Sequence, residues 1–128
     1  MKNIEKKITI FMVAFNPSYR IEKVISKINS SIKIIIVENS NNKKTKTYFE
    51  NKFNNVEVIL CKENHGVTRG FNIGFENTKT PYSLHLDMDV DFDTSIIEQF
   101  IEIAEKIKNF AFLVPEHQNS KYPSSWEF

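Results

Sequence analysis

The chain is poor in the residues that would give it a specialised character. It has one cysteine, Cys61, which excludes an internal disulfide and fits a reducing compartment. Only Arg20 and Arg69 are arginine among 17 basic residues, and these are balanced by 16 acids. A formal charge of +1 lacks the basic footprint of a nucleic-acid binder and suggests neither an acidic nor a membrane partner. No long hydrophobic run is present. The run from Ile8 to Phe15 follows a charged start and is too short for a signal peptide or a transmembrane segment, so the expectation is a soluble, cytoplasmic protein. Glycine occurs three times and proline four times, and neither clusters as a linker does. With 128 residues and no repeat or boundary, residues 1–128 read as a single domain.

What is present is a regular alternation. Ile8 to Phe15 is apolar on both faces, as a central parallel strand should be. After Asn16-Pro17-Ser18, the residues Ile21, Val24, Ile25 and Ile28 follow at helical spacing and predict a helix over Ser18 to Asn29. Ile32 to Val37 is a second strand, closed by the turn-forming run Glu38 to Asn42. Tyr48, Phe49 and Phe53 mark a weaker helix, and Val56 to Cys61 a third strand. Gly66, Gly70 and Gly74 then recur every four residues on one face of a helix, beside Val67, Phe71 and Phe75. Such a row lets a backbone approach either the sheet or a ligand. Leu84 to Met88 is the fourth strand. Ser95 and Glu98 resemble a capping box opening a helix through Ile107, and Phe110 to Val114 is expected to start a fifth strand. Pro115 to Phe128 shows no period and is expected to be loop.

Strands alternating with helices predict an α/β fold: a mostly parallel sheet with helices on both faces. With order 3-2-1-4, every distinctive polar cluster falls at a C-terminal strand tip, and the crevice between strands one and four is the ligand site of a doubly wound sheet. Asp87, Asp89, Asp91 and Asp93 lie there at every second position. Carboxylates are natural ligands of Mg²⁺ and Mn²⁺, whereas Asp91 and Asp93 serve equally well as caps of the following helix. The residues alone thus point to a metal-assisted binder of an anionic small molecule, most simply a nucleoside diphosphate.

Four segments, AFNP after strand one, IIIVENS at strand two, ENHGVTRGFNIGF, and LHLDMD, resemble the donor-binding half of family 2 glycosyltransferases with the GT-A fold, a Rossmann-like nucleotide-binding half. The resemblance covers about residues 8–114. It implies a nucleotide-sugar donor (UDP-, dTDP- or GDP-sugar), a Mn²⁺ or Mg²⁺ cofactor, and transfer to an acceptor hydroxyl on a glycan or lipid-linked sugar. Asp87-Met88-Asp89 matches the Asp-x-Asp motif: Asp87 would face the ribose or the metal, and Asp89 would coordinate the ion. Ala14, Phe15 and Asn16 match the lining of base and ribose, and Glu38 stands where the family usually has an Asp that reads the base. Asn64, Gly66, Arg69, Gly70 and Asn72 match the stretch beside the nucleotide.

Blander readings accompany several of these residues. Glu38 could be a solvated loop acid, Arg69 a solvated helix residue, Asn64 and His65 a turn, and His85 a core histidine. The acceptor-binding half of the family, which supplies the catalytic base, does not fit in this length. Among the acids after strand five are only Glu116 and Glu127, so little or no turnover is expected of these residues alone. The alternative function is a non-catalytic nucleotide-binding or interaction module on the same fold. A receiver-like domain would need acids after strand one. A sugar nucleotidyltransferase would need a glycine-rich basic loop there. Asn16-Pro17-Ser18-Tyr19 supplies neither.

Overall fold

The structure, a computed structural model, describes residues 3–17 and 19–115. After a short 3₁₀ turn at Ile4–Lys6, strands and helices alternate: β1 (Ile8–Ala14), α1 (Tyr19–Lys27), β2 (Lys33–Glu38), α2 (Lys43–Lys52), β3 (Val56–Leu60), α3 (Gly66–Asn77), β4 (Tyr82–His85) and α4 (Ser95–Ile107). The four strands form one parallel sheet in the order β3-β2-β1-β4, the order expected from the sequence.

Chain direction explains the layers. The path steps outward from β1 to β2 to β3, then returns across the sheet to lay β4 on the other side of β1. Right-handed crossovers therefore put α1 and α2 on one face and α3 on the opposite one. On the first face Ile10, Met12, Ile34, Ile36 and Val58 pack with Ile21, Val24, Ile25 and Ile28 of α1, Phe49 of α2, and Ile97 and Ile101 of α4. On the second, Phe11, Ile35, Val37 and Cys61 meet Phe71 and Ile73 of α3. Each buried aliphatic or aromatic side chain contributes about 1.5–3 kcal/mol of transfer free energy, so the thicker first face supplies most of the apolar stabilisation.

Two of the three glycines of α3, Gly70 and Gly74, face the sheet, whereas a Cβ on Gly66 would meet open space. A Cβ on Gly70 would stand 2.5 Å from Val13 Cγ1, and one on Gly74 would stand 2.3 Å from Phe11 Cδ2. The missing side chains let α3 lie close against β1. Phe11, fully buried, is then packed edge-on by Phe71 at 6.2 Å and Phe75 at 4.9 Å between ring centroids. The stripe expected beside the glycines is only partly used, because Val67 and half of Phe75 remain exposed.

Three local expectations are corrected. Strand four is Tyr82–His85 rather than Leu84 to Met88, since its pairing with β1 ends at Phe11 opposite His85. The N-cap of α4 is Thr94, which makes no side-chain cap bond. Asp93 does the capping, its Oδ1 accepting from the Ser95 N–H at 2.9 Å, in place of a box begun by Ser95. Phe110 to Val114 forms no strand and leaves Phe112 80% exposed. A β-prone run needs a neighbour for its backbone groups, and among the described residues none pairs with it. The expected loop after Pro115, with Glu116, His117 and Glu127, lies outside the described residues, as does Ser18.

Candidate functional site

All four loops that follow the strands open on the same edge of the sheet. β1 runs on to Ala14 beside β2, whereas its pairing with β4 stops at Phe11. The Leu86 N–H still donates to the Phe11 carbonyl at 3.1 Å, and the chain then turns away. The end of β1 is thus flanked by a strand on one side only. This notch lies where the strand order reverses, the place at which open α/β sheets bind ligands.

On the β2 side of the notch the polar groups are bound to one another. The Glu38 side chain is fully buried. Its Oε1 accepts from the backbone N–H of Ser40 at 2.9 Å and of Asn16 at 3.4 Å, and its Oε2 from the N–H of Asn42 at 2.7 Å. The Ser40 hydroxyl reaches both Glu38 Oε1 and Asn16 Oδ1, the latter at 2.8 Å, and its single proton serves one of them at a time. Burial alone would raise the Glu38 pKa, but the bonds from Ser40, Asn42 and Asn16 outweigh it and leave the carboxyl below its ordinary value. Asn16 and Asn41 both adopt positive φ, 46° and 57°, a conformation that asparagine tolerates better than most residues.

Asn39, next in the chain, is also buried. Its N–H donates to the Ala14 carbonyl at 2.8 Å and its Nδ2 to the Gly66 carbonyl at 3.1 Å, which ties the end of β2 to the start of α3. Its Oδ1 has no donor among the described residues. Gly66 begins α3 at φ 75°, and its N–H is met by Asn64 Oδ1 at 2.9 Å, so Asn64 closes a turn ahead of the helix. Arg69 and Asn72 are exposed on the helix that follows, while Gly70 is turned into the sheet. Cys61 is buried just past β3. Burial first, and then the Glu38 charge, push its thiol upward, which keeps it protonated and unreactive.

The four acids after β4 separate cleanly. Asp91 pairs with Lys27, and that bond, more than any other cause, lowers its pKa. Asp93 is lowered first by the Ser95 N–H that it caps. Asp87 and Asp89 are exposed. The nearest group to Asp87 is His85, Nε2 to Oδ1 3.8 Å, and no hydrogen bond or ion pair holds Asp89 among the described residues. His85 itself packs between the rings of Phe11 and Phe71 at 5.3 and 4.4 Å, and burial lowers its pKa, with Asp87 opposing. It is a neutral interlayer histidine at neutral pH.

Among the described residues no group of three His, Cys, Asp or Glu side chains is arranged to hold a metal ion. Carboxylates, of which Asp87 and Asp89 stand two residues apart in the chain, are a donor type that suits an ion taking its remaining ligands from water and phosphate oxygens, as Mg²⁺ commonly does. A surface cleft of about 730 Å³ lies elsewhere, on the lysine-rich outer face of α2. A second of about 360 Å³ reaches Pro17 and Asn42 in the loops after β1 and β2. Sequence reasoning placed Glu38, Asn39 and Ser40 at this edge but gave Asn39, Ser40 and Asn42 no role in holding it. The polar run ENSNN was the signal, but it read only as a turn.

No curated protein matches the sequence. The fold is similar to that of two crystal structures of S. aureus TarS. For TarS 1–349 the TM-score is 0.63 at 14% identity, covering 78% of this chain and 32% of that one. For TarS the TM-score is 0.61 at 14% identity, with 78% and 20% covered. The chain therefore spans about a third or less of the structures it resembles, and its fold is part of a GT-A fold. No helix among the described residues is long and apolar enough to cross a membrane. The family model for Glycosyl transferase family 2 matches residues 9–127, nearly the whole length, and the chain belongs to that family.

Proposed function

We propose that the chain binds a nucleoside-diphosphate sugar together with Mn²⁺ or Mg²⁺ in the notch between β1 and β4. The site would act as the donor half of transfer to an acceptor hydroxyl, on a glycan or a lipid-linked sugar. The observation that carries this reading is the contrast among the acids after β4: Asp91 and Asp93 are engaged by Lys27 and Ser95, whereas Asp87 and Asp89 face solvent at the strand tip.

Asp87 and Asp89 would hold the ion, which when bound neutralises charge on the departing diphosphate. Ala14, Phe15 and Asn16, at the end of β1, would line the base and ribose. Asn64, Gly66, Arg69, Gly70 and Asn72 would flank the nucleotide from α3. The exposed Arg69 is the best suited of these to a phosphate, and the buried Gly70 would serve by letting the helix sit close. The base that must remove the acceptor proton is not assigned to a residue. A cytoplasmic setting belongs to the same reading and is supported by the free, buried Cys61.

The test is thermal unfolding with UDP, dTDP, GDP or CMP, each with Mn²⁺, Mg²⁺ or a chelator. A ligand at a hundred times its dissociation constant adds about 2.7 kcal/mol, which is readily seen. Asp89→Asn is expected to remove the metal-dependent part of the shift, and Asp93→Asn to leave it. If no nucleotide stabilises the wild-type chain with either metal, the donor-site reading is wrong.

A further inference from the structure

Glu38 occupies the position at which an acid would be expected to read the base, yet no part of its side chain reaches solvent. Its oxygens are already met. Three backbone N–H groups, from Asn16, Ser40 and Asn42, converge on them, and the Ser40 hydroxyl adds a fourth donor. Converging amides of this kind form an anion-binding concavity, and here the chain's own carboxylate fills it. The partners come from two loops: Asn16 follows β1, and Ser40 and Asn42 follow β2. Both loops also contain a residue at positive φ, Asn16 and Asn41, so each has a local conformation that needs support from its surroundings. Asn42 in turn caps α2, its Oδ1 accepting from the Lys44 N–H at 3.0 Å. One carboxylate therefore fixes the exit of β1, the exit of β2 and the entry of α2.

We infer that Glu38 is a positioning residue: it clamps the loops after β1 and β2 into one rigid wall of the nucleotide notch and makes no contact with the base itself. The inference rests on the donor-site reading above for its ligand, but its geometry is independent of that reading. Glu38 reaches the Asn16 and Asn42 amides with its two oxygens, Oε1 to the first and Oε2 to the second. Base selection falls to other groups around the notch, and Glu38 sets how well ordered those groups are before the nucleotide arrives.

The experiment compares the wild-type chain with Glu38→Gln and Glu38→Asp in two measurements. Amide hydrogen exchange without ligand reads the clamp. Calorimetric titration with UDP, GDP and dTDP in Mn²⁺ reads the notch. Gln has the same shape but turns an NH₂ toward an amide N–H. It is expected to speed exchange at Asn16, Ser40 and Asn42 together, and to weaken every nucleotide that the wild type binds by a common factor of about tenfold. The preference order among bases is expected to stay the same, and Asp is expected to restore part of the protection. A changed base preference in Glu38→Gln, or undiminished affinity, would overturn the inference. If Glu38→Gln does not fold, Ser40→Ala removes one donor and is expected to give the same pattern at smaller amplitude. If the wild type binds none of these nucleotides, the donor-site reading fails. The clamp is then judged by exchange alone, and amides that are unprotected in the wild type or indifferent to the substitution would refute it.

Discussion

Two groups of carboxylates stand on the same edge of the sheet, and their fates are opposite. Glu38, at the tip of β2, is sealed from water and bonded to amides of two loops. Asp87 and Asp89, beyond the tip of β4, are exposed, and no hydrogen bond holds their carboxylates among the described residues. A buried carboxylate is stable only when its lone pairs are used, so it becomes an organiser of backbone. An exposed one keeps its lone pairs for something that arrives later. Position at a strand tip does not by itself distinguish a ligand-binding acid from a structural one. The number of donors already present does.

That contrast can be broken by substitution, with the largest effect at the buried end. Glu38→Ala leaves three part-buried amides without their acceptor, and is expected to lower stability by about 3 kcal/mol, or roughly 10 °C in Tm. The pH dependence of that loss sharpens the assignment. The folded-state pKa of Glu38 lies below its ordinary value of 4.5. Its contribution is therefore present above the unfolded-state pKa and is lost as pH falls through the folded one. The difference in Tm between wild type and Glu38→Ala should be full near neutrality and should narrow below about pH 4.5. A gap that is constant with pH would mean that the carboxylate charge is not what holds the loops.

The next effect is smaller. Asp93→Ala removes the acceptor for the Ser95 N–H and is expected to lower Tm by roughly 3 °C without altering any metal-dependent shift. Loss of that shift would place Asp93 among the ion's ligands. Smallest of all, Asp87→Asn or Asp89→Asn should move the Tm of the ligand-free chain by no more than about 2 °C, since an exposed acid, with at most a distant His85 beside Asp87, has little folded-state interaction to lose. A larger drop at either position would show that it is structural, as Glu38 is, and would remove the basis for the proposed metal site.

The sheet itself was legible. Ile8 to Phe15 and Ile32 to Val37 are apolar on both faces because β1 and β2 are covered on both sides, and that pattern survives without any knowledge of neighbours. The misreadings concern partners that composition and spacing do not identify. Phe110 to Val114 has the composition of a strand but no strand beside it. Ser95 and Glu98 have the spacing of a capping box, but Asp93 reaches the Ser95 amide first. The glycine row left sheet and ligand equally open. Only the 2.3–2.5 Å approach of a hypothetical Cβ to Phe11 and Val13 assigns Gly70 and Gly74 to packing against β1.

The site divides in the same way. By itself the sequence determined the alternation of strands and helices, the collection of polar clusters at one edge, and the Asp-Met-Asp pair after β4. Periodicity and chain direction are local properties, and the handedness of crossovers converts them into layers. Tertiary structure alone decided which acids were already in use. Whether a carboxylate is sealed or exposed depends on amides contributed by other loops: Asn16 meets Glu38 across 22 residues, and Lys27 meets Asp91 across 64. Separations of that length leave no trace in local pattern, and they are what turned one acid into a clamp and left two others open to solvent.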